Sequence, residues 1–252
     1  MNIRDLVRPV LSRSPRLKRA VRRIYSLVHG NPQITYAELT FDEIRRLVGR
    51  PNPTILELGC NDGGHTRHFL DAFEQPTIYC FEPDPRAATR FRRQIGDRPN
   101  VHLFEGAVSD RDGEITFHQS SGHRSEKDVE DFPDGWDLSG SIHRPTGHLG
   151  SEPLVTFTKI LTVPTTSLDS WCARHQIDAV DFLWMDVQGA EGDVFRGGSN
   201  TLGKTRILYT ECSDTEQYEG QLTTKQLLAQ LPDFEVLTRY PSDILLRNRR
   251  LK

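Results

Sequence analysis

Residues 55–66 read ILELGCNDGGHT, with Gly59, Gly63 and Gly64 standing where an apolar run ends. Glycine lacks a Cβ, so such a stretch turns sharply and lets a bound molecule approach the backbone. A helix opening near Gly64 would also aim free N–H groups at that molecule. Further on, TIYCF is followed by Glu82 and Pro83, a place where a carboxylate can accept hydrogen bonds from both hydroxyls of a ribose. The dinucleotide spacing G-x-G-x-x-G is absent, because three residues separate Gly59 from Gly63. A nucleoside with free 2′ and 3′ hydroxyls and no pyrophosphate fits these features, and S-adenosylmethionine is such a ligand. Its methionine end carries an ammonium and a carboxylate, which suits Glu57 beside exposed backbone donors. The plainer readings are a tight strand-to-helix turn and, for Glu82, an acid at a helix entry.

Transfer of a methyl group from a sulfonium to a hydroxyl requires alignment, exclusion of water and a proton acceptor. Carboxylates for that duty are Asp186, ending DFLWMD, Glu191, and Glu211, ending RILYTE. Asp186 and Glu211 end runs expected to be neighbours and could share a magnesium ion. Two carboxylates alone are a thin metal signal, so a divalent metal is not favoured and no metal ligand is assigned. Glu191 reads better as the acid that opens a helix. Residues 119–153 are rich in Ser, Gly, His, Asp and Pro and show no periodicity. Such a stretch inside a compact chain is usually functional or disordered, and here it is expected to be a lid that sets acceptor specificity. Histidine as a residue type titrates near neutrality, so His143 or His148 could deprotonate a hydroxyl, and His143 joins Asp186 and Glu211 as the catalytic candidates. A solvated loop histidine is the plainer reading.

The elements around these residues alternate. TILEL, TIYCF and VHLF read as strands, with helices over His65–Phe73 and Pro85–Ile95 between them. A turn at Asp110–Gly113 leads to the strand EITFH, and VTFTKILTV resumes strand character after the lid. Then follow a helix over Ser167–His175, the strand AVDFLWMDV, a helix from about Ala190, the strand RILYTE and a helix near Thr224–Leu231. FEVLTRY and DILLRNR are separated only by Pro241-Ser242, which suits a hairpin and an antiparallel strand near the sheet edge. The pattern predicts an α/β fold with a doubly wound, mostly parallel sheet.

The 252 residues, 36% apolar and 27% charged, suit one large domain with a small extension. A net charge of −3 argues against a nucleic-acid partner. Cys60, Cys80, Cys172 and Cys212 include no CxxC pair, so neither a zinc site nor a disulfide framework is signalled. No apolar run has the length of a signal peptide or a membrane span, and a reduced, cytoplasmic enzyme is expected. Residues 1–50 are expected to form an N-terminal helical extension and 51–252 the main domain. Within residues 1–30, eight Arg/Lys face one Asp, and Ser14-Pro15 reads as a helix start. That basic helix would suit peripheral contact with an anionic membrane or a partner, or simply present a solvated basic face. Nothing in the sequence speaks to oligomeric state.

ELGCNDGGHT, FEPDP, AVSDRDGEITF, VPTTSLDSW and DFLWMDVQGAEGDVFRGG occur in this order over roughly residues 53–247. This succession resembles the FkbM-type S-adenosylmethionine-dependent methyltransferases. The resemblance implies a class I, Rossmann-like methyltransferase fold, a seven-stranded sheet with its last strand antiparallel. It further implies methyl transfer to a hydroxyl of a sugar or other specialised metabolite, leaving S-adenosylhomocysteine. By the same resemblance, Glu57, Gly59, Asn61, Asp62 and Gly63 would surround the methionine part. Glu82 would hold the ribose with Pro83 beside it, Gly106, Ala107 and Val108 would approach the adenine, and Asp186 would face the methyl group. Two positions depart from the family pattern, Gln188 where Glu is frequent and Trp184 where Lys or a small apolar residue is. Gln188 therefore receives no base duty. The alternative readings are a nucleotide-binding oxidoreductase or epimerase, and a module that binds S-adenosylmethionine without turnover.

Overall fold

The computed structural model describes residues 34–125 and 128–251. The basic helix expected within residues 1–30 lies outside them. The first helix, α1 (Phe41–Val48), is bounded as its sequence dictates: Thr40 accepts from the Glu43 N–H, and Gly49 ends it in left-handed conformation. Strand β1 (Thr54–Leu58) is followed by α2 (Gly64–Ala72), β2 (Thr77–Phe81), α3 (Pro85–Ile95) and β3 (Val101–Phe104). Asp84 caps α3 by accepting from Arg86 N–H, and Pro85 sits in its first turn, where no intrahelical donor is needed.

Beyond β3 lie β4 (Ala107–Ser109), β5 (Gly113–Gly122), the short helices α4 (Asp128–Asp131) and α5 (His148–Ser151), and β6 (Val155–Ser167). The remaining elements are α6 (Leu168–Arg174), β7 (Val180–Met185), α7 (Glu191–Gly197), α8 (Ser199–Gly203), β8 (Thr205–Glu211), α9 (Thr224–Ala229), β9 (Phe234–Arg239) and β10 (Asp243–Asn248).

Seven strands form the main sheet in the order β3-β2-β1-β7-β8-β10-β9. All neighbours are parallel except β10, which runs antiparallel to both β8 and β9. Alternate residues of the central strands feed two cores. Leu56, Leu58, Leu183 and Leu208 pack on one face, and Ile55, Ile78, Phe182 and Ile207 on the other. Pairing of Leu58 with Met185, and of Met185 with Thr210, brings Gly59, Asp186 and Glu211 level at the carboxyl edge. In an open α/β sheet this is the edge where ligands bind.

Two expectations are corrected here. First, β4, β6 and β5 form a separate three-stranded sheet around Ala107, Phe117 and Val163, which the sequence reading did not foresee. Secondly, residues 119–153 are not devoid of regular structure, since β5 continues to Gly122 and α4 and α5 follow. This insertion packs through polar contacts. Gln119, Ser120, Asp137, Ser139 and Ser141 are all buried, Trp136 Nε1 donates to Ser139 Oγ at 2.9 Å, and Ser139 N–H donates to Ser120 Oγ at 3.2 Å. No helix among the described residues is long and apolar enough to cross a membrane.

Candidate active site

The chain leaves β1 through Gly59 at φ 80°, Asn61 at φ 45° and Gly63 at φ 87°. A Cβ on Gly59 would stand 1.9 Å from the backbone oxygen of Asp186, and one on Gly63 would meet Phe91 and Ile95 of α3 within 3 Å. The glycines are thus required first by the protein's own backbone and helix packing, beyond the ligand approach inferred from sequence. The turn they make borders a cleft of about 630 Å³, its open mouth included.

Glu82 anchors one end of this cleft. Its two oxygens accept from Asn61 N–H and Asp84 N–H, each at 2.8 Å, and burial pushes its carboxyl up to about 8. Each oxygen retains a lone pair for a further donor, as a ribose diol requires. Next to it, Asp137 from the insertion reaches the cleft in contact with Arg90. The apolar wall consists of Phe81, Ala107, Val108, Phe117 and Ile142, with Pro83 and Gly106 also lining it. A planar base between apolar side chains and a diol on a carboxylate are what this arrangement accommodates.

Of the five residues expected around the methionine part, Gly59 and Asn61 line this cleft, and Glu57, Asp62 and Gly63 lie behind it. Glu57 is fully enclosed between β1 and α2, where Thr66 Oγ1 donates to its Oε2 at 2.6 Å, and burial pushes its carboxyl up to about 8. Its Oε1 has no partner among the described residues, and such a buried acceptor favours a nearby cationic donor. Asp62 accepts from Gly64 N–H at 3.1 Å and from Gln94 Nε2 at 2.7 Å, holding the turn in shape.

At the other end of the cleft stands Asp186, its backbone N–H bonded to Leu58 O at 3.0 Å. Asp186 and Glu211 come together as the sequence predicts and are joined by Gln188, whose Nε2 donates to both, at 2.6 and 3.0 Å. Burial raises both carboxyls, Glu211 well above its ordinary value. Asp243 lies across from Glu211 in register, and burial together with Asp186 pushes it up to about 6. Glu191, in the first turn of α7 as expected, is buried and pushed up to about 7. This acidic row favours cationic groups at this end of the cleft. Among the described residues no group of three or more His, Cys, Asp or Glu side chains is arranged to hold a metal.

Asp186, Gln188 and Leu138 also border a second, more open cleft of about 1,660 Å³. Trp136, His148, Glu211, Asp214, Tyr218 and Tyr240 line it. His143 lines neither cleft; its Nε2 donates to Asp193 at 2.7 Å, and this pairing holds the Asp193 carboxyl below its usual range. His148 borders the second cleft instead, and burial lowers its imidazole. Sequence reasoning did not single out Asp137, Leu138 or Tyr218. Only the Gln188-Gly189 turn residues carry a local signal, and it marks a turn rather than a role.

A sheet of this order with only β10 reversed, and a cleft over the tips of β1 and β2 that runs to an acid at the tip of β7, have the class I methyltransferase architecture. The description of a methyltransferase FkbM domain matches residues 57–240. The 2-O-methyltransferase NoeI of Sinorhizobium fredii (strain NBRC 101917 / NGR234) is 44% identical over 234 residues, 91% of this chain and 93% of that protein. Among solved structures, Aeropyrum pernix fibrillarin with natively bound S-adenosyl-L-methionine aligns with TM-score 0.39 and 18% identity, covering 80% of this chain and 67% of that one. The N-methyltransferase NodS from Bradyrhizobium japonicum WM9 aligns with TM-score 0.43 and 10% identity, covering 82% and 93%. The chain belongs to the FkbM methyltransferase family. It is an S-adenosylmethionine-dependent methyltransferase, which sets aside the oxidoreductase and epimerase reading.

Proposed function

We propose that the protein methylates a hydroxyl of a sugar or sugar-bearing metabolite, the 2-O position being the first to test. The observation that carries this reading is the meeting of the two clefts at Asp186 and Gln188. The nucleoside-shaped cleft suits the donor, and the open one suits the acceptor. Carboxylates, hydroxyls and the aromatic rings of Trp136, Tyr218 and Tyr240 line the acceptor side, a mixture fit for the polar edges and C–H faces of a sugar ring. The 2-O-methyltransferase NoeI, 44% identical, supports the choice of atom and position. The four cysteines are free and buried, which suits a reducing, cytoplasmic setting.

S-adenosylmethionine, when bound, supplies an activated methyl group, so that an O–C bond forms as the S–C bond breaks and S-adenosylhomocysteine is left. Glu82 and the apolar wall hold and orient the nucleoside. Asp186 and Glu211 take the hydroxyl proton, and burial, by raising their carboxyls, makes them stronger bases than exposed carboxylates. Leu138 and Ile142 of the insertion cover the donor cleft and limit water.

The test is incubation with methyl-labelled S-adenosylmethionine and a panel of mono- and oligosaccharides, followed by linkage analysis. A methyl group on a sugar 2-oxygen, lost in Asp186→Asn, is the expected product. Label on nitrogen, or no transfer to any hydroxylated acceptor while S-adenosylhomocysteine still binds, would reject the reading and favour a non-catalytic binding module.

A further inference from the structure

Gln188 stands in left-handed backbone conformation at φ 52°, two residues beyond Asp186. Such a conformation in a non-glycine residue persists only where its surroundings enforce it. Ser141 Oγ donates to the Gln188 carbonyl at 2.7 Å, and the one Tyr218 hydroxyl hydrogen has two acceptors in reach, Gln188 Oε1 and the Ser139 carbonyl oxygen, each at 2.9 Å. Gly189, at φ 91°, leaves the space Tyr218 occupies, for a Cβ there would lie 2.9 Å from the tyrosine Cβ. With Oε1 turned to Tyr218, the amide nitrogen must face the other way. Its two hydrogens go to two different acids, Asp186 Oδ1 at 2.6 Å and Glu211 Oε2 at 3.0 Å. Glutamine is long enough to span the pair and carries two donors, whereas a glutamate would confront two carboxylates with a third.

We infer that Gln188 is a positioning residue that ties Asp186 and Glu211 into one proton-accepting unit, its side chain packed against the Tyr218 hydroxyl. The inference rests on the methyl-transfer reading. Around the pair, His65 of α2, Glu191 of α7, Tyr209 of β8, Asp243 of β10 and Tyr218 of the loop before α9 are the titratable neighbours. Four of them, Glu191, Asp243 and the two tyrosines, disfavour a second negative charge on the pair when ionised. His65, when protonated, favours it. The two carboxyls also meet directly in a hydrogen bond that lowers Asp186 and raises Glu211, and the Gln188 amide lowers Asp186 as well.

The experiment is a carboxyl ¹³C NMR titration of the full chain, assigned with Glu211→Gln and repeated in Gln188→Leu, Gln188→Glu and Tyr218→Phe. S-adenosylhomocysteine binding serves as the check of a folded donor cleft. Gln188→Leu removes both donors, so both carboxyls should titrate at higher pH than in the wild type. Gln188→Glu should add a third step and move the pair further in the same direction, and Tyr218→Phe should move it less. The acid limb of kcat/KM should follow each shift, with kcat/KM down about 10- to 100-fold in Gln188→Leu. An unchanged carboxyl titration in Gln188→Leu overturns the inference, even where activity falls. Should Gln188→Leu fail to fold, an unchanged titration in Tyr218→Phe does the same. The titration needs no acceptor, so shifted carboxyls with no methyl transfer to any sugar would count against the acceptor reading and leave the inference standing.

Discussion

The backbone oxygen of Asp186 occupies the space in which a side chain on Gly59 would begin, 1.9 Å from the Cβ position. The turn after β1 and the acid at the tip of β7 are therefore packed against each other through the ends of two neighbouring strands. Gly59→Ala must both adopt a positive φ and displace that backbone. The cost is about 2–4 kcal/mol, or roughly 4–16 °C in Tm for a domain of this size. Calorimetric melting measures it, and S-adenosylhomocysteine affinity should fall in the same variant.

Glu82→Ala removes the carboxylate that orders Asn61 and Asp84 and faces the ribose end of the cleft. With this carboxyl pushed up to about 8, two neutral hydrogen bonds of about 0.5–1.5 kcal/mol each are at stake at pH 7, so S-adenosylhomocysteine should bind roughly 5- to 150-fold more weakly by titration calorimetry. Unchanged affinity would move the ribose elsewhere, with Asp137 the nearest other carboxylate in the cleft.

Asp186→Asn should lower kcat by about 10²–10⁴-fold, the range of a lost general base, while keeping most of the donor affinity. His143→Ala should leave kcat within about threefold and cost under about 1 kcal/mol, as its partly exposed pair with Asp193 suggests. Steady-state kinetics on the two variants separates the acid at the strand tip from the histidine in the insertion.

Wild-type kcat/KM should decline on the acid side at a pH above the ordinary carboxylate range of about 4, because burial raises Asp186 and Glu211. A pH–rate profile whose acid limb sits at or below that range would remove these carboxylates from proton transfer.

Glu57 is pushed up to about 8 in the folded protein by burial, against about 4.3 in an unfolded chain. The protonated form is the one the fold favours. Its contribution to stability is full below the unfolded value and is lost as pH rises through about 8. One proton changes stability by about 1.4 kcal/mol per pH unit. In the ligand-free protein Glu57→Gln should thus flatten the fall of Tm between pH 5 and 8 by roughly 3–5 °C per pH unit. A slope identical to the wild type's would show that Glu57 is ionised in the fold.

Much of the main sheet was legible because its signals are local. Pro85–Ile95 and Val101–Phe104 are read to the residue, since Asp84-Pro85 and a short apolar run announce their own boundaries. Glu82, Asp186 and Glu211 were legible because strand ends locate them. The small sheet was not, because β4 is three residues long and its partner β6 lies some fifty residues away, a pairing with no local signature. Residues 119–153 read as a loop because Gln119, Ser120, Ser139 and Ser141 are polar, yet each is buried and bonded. Polar packing leaves no hydrophobic period to find. Asp137 and Tyr218 were invisible for a related reason: each reaches its cleft from a long connection between elements.

Strand β10 enters the sheet between β8 and β9, although it follows both in the chain. On a ribosome, β8 is made with its outer edge bare and stays so until residues 243–248 arrive. Those residues pair with β8 up to Glu211, opposite Asp243. Of the acidic row, only Asp243 is added with the last strand of the sheet, so a nascent chain already carries Asp186, Glu191 and Glu211 while the edge beside them is still bare.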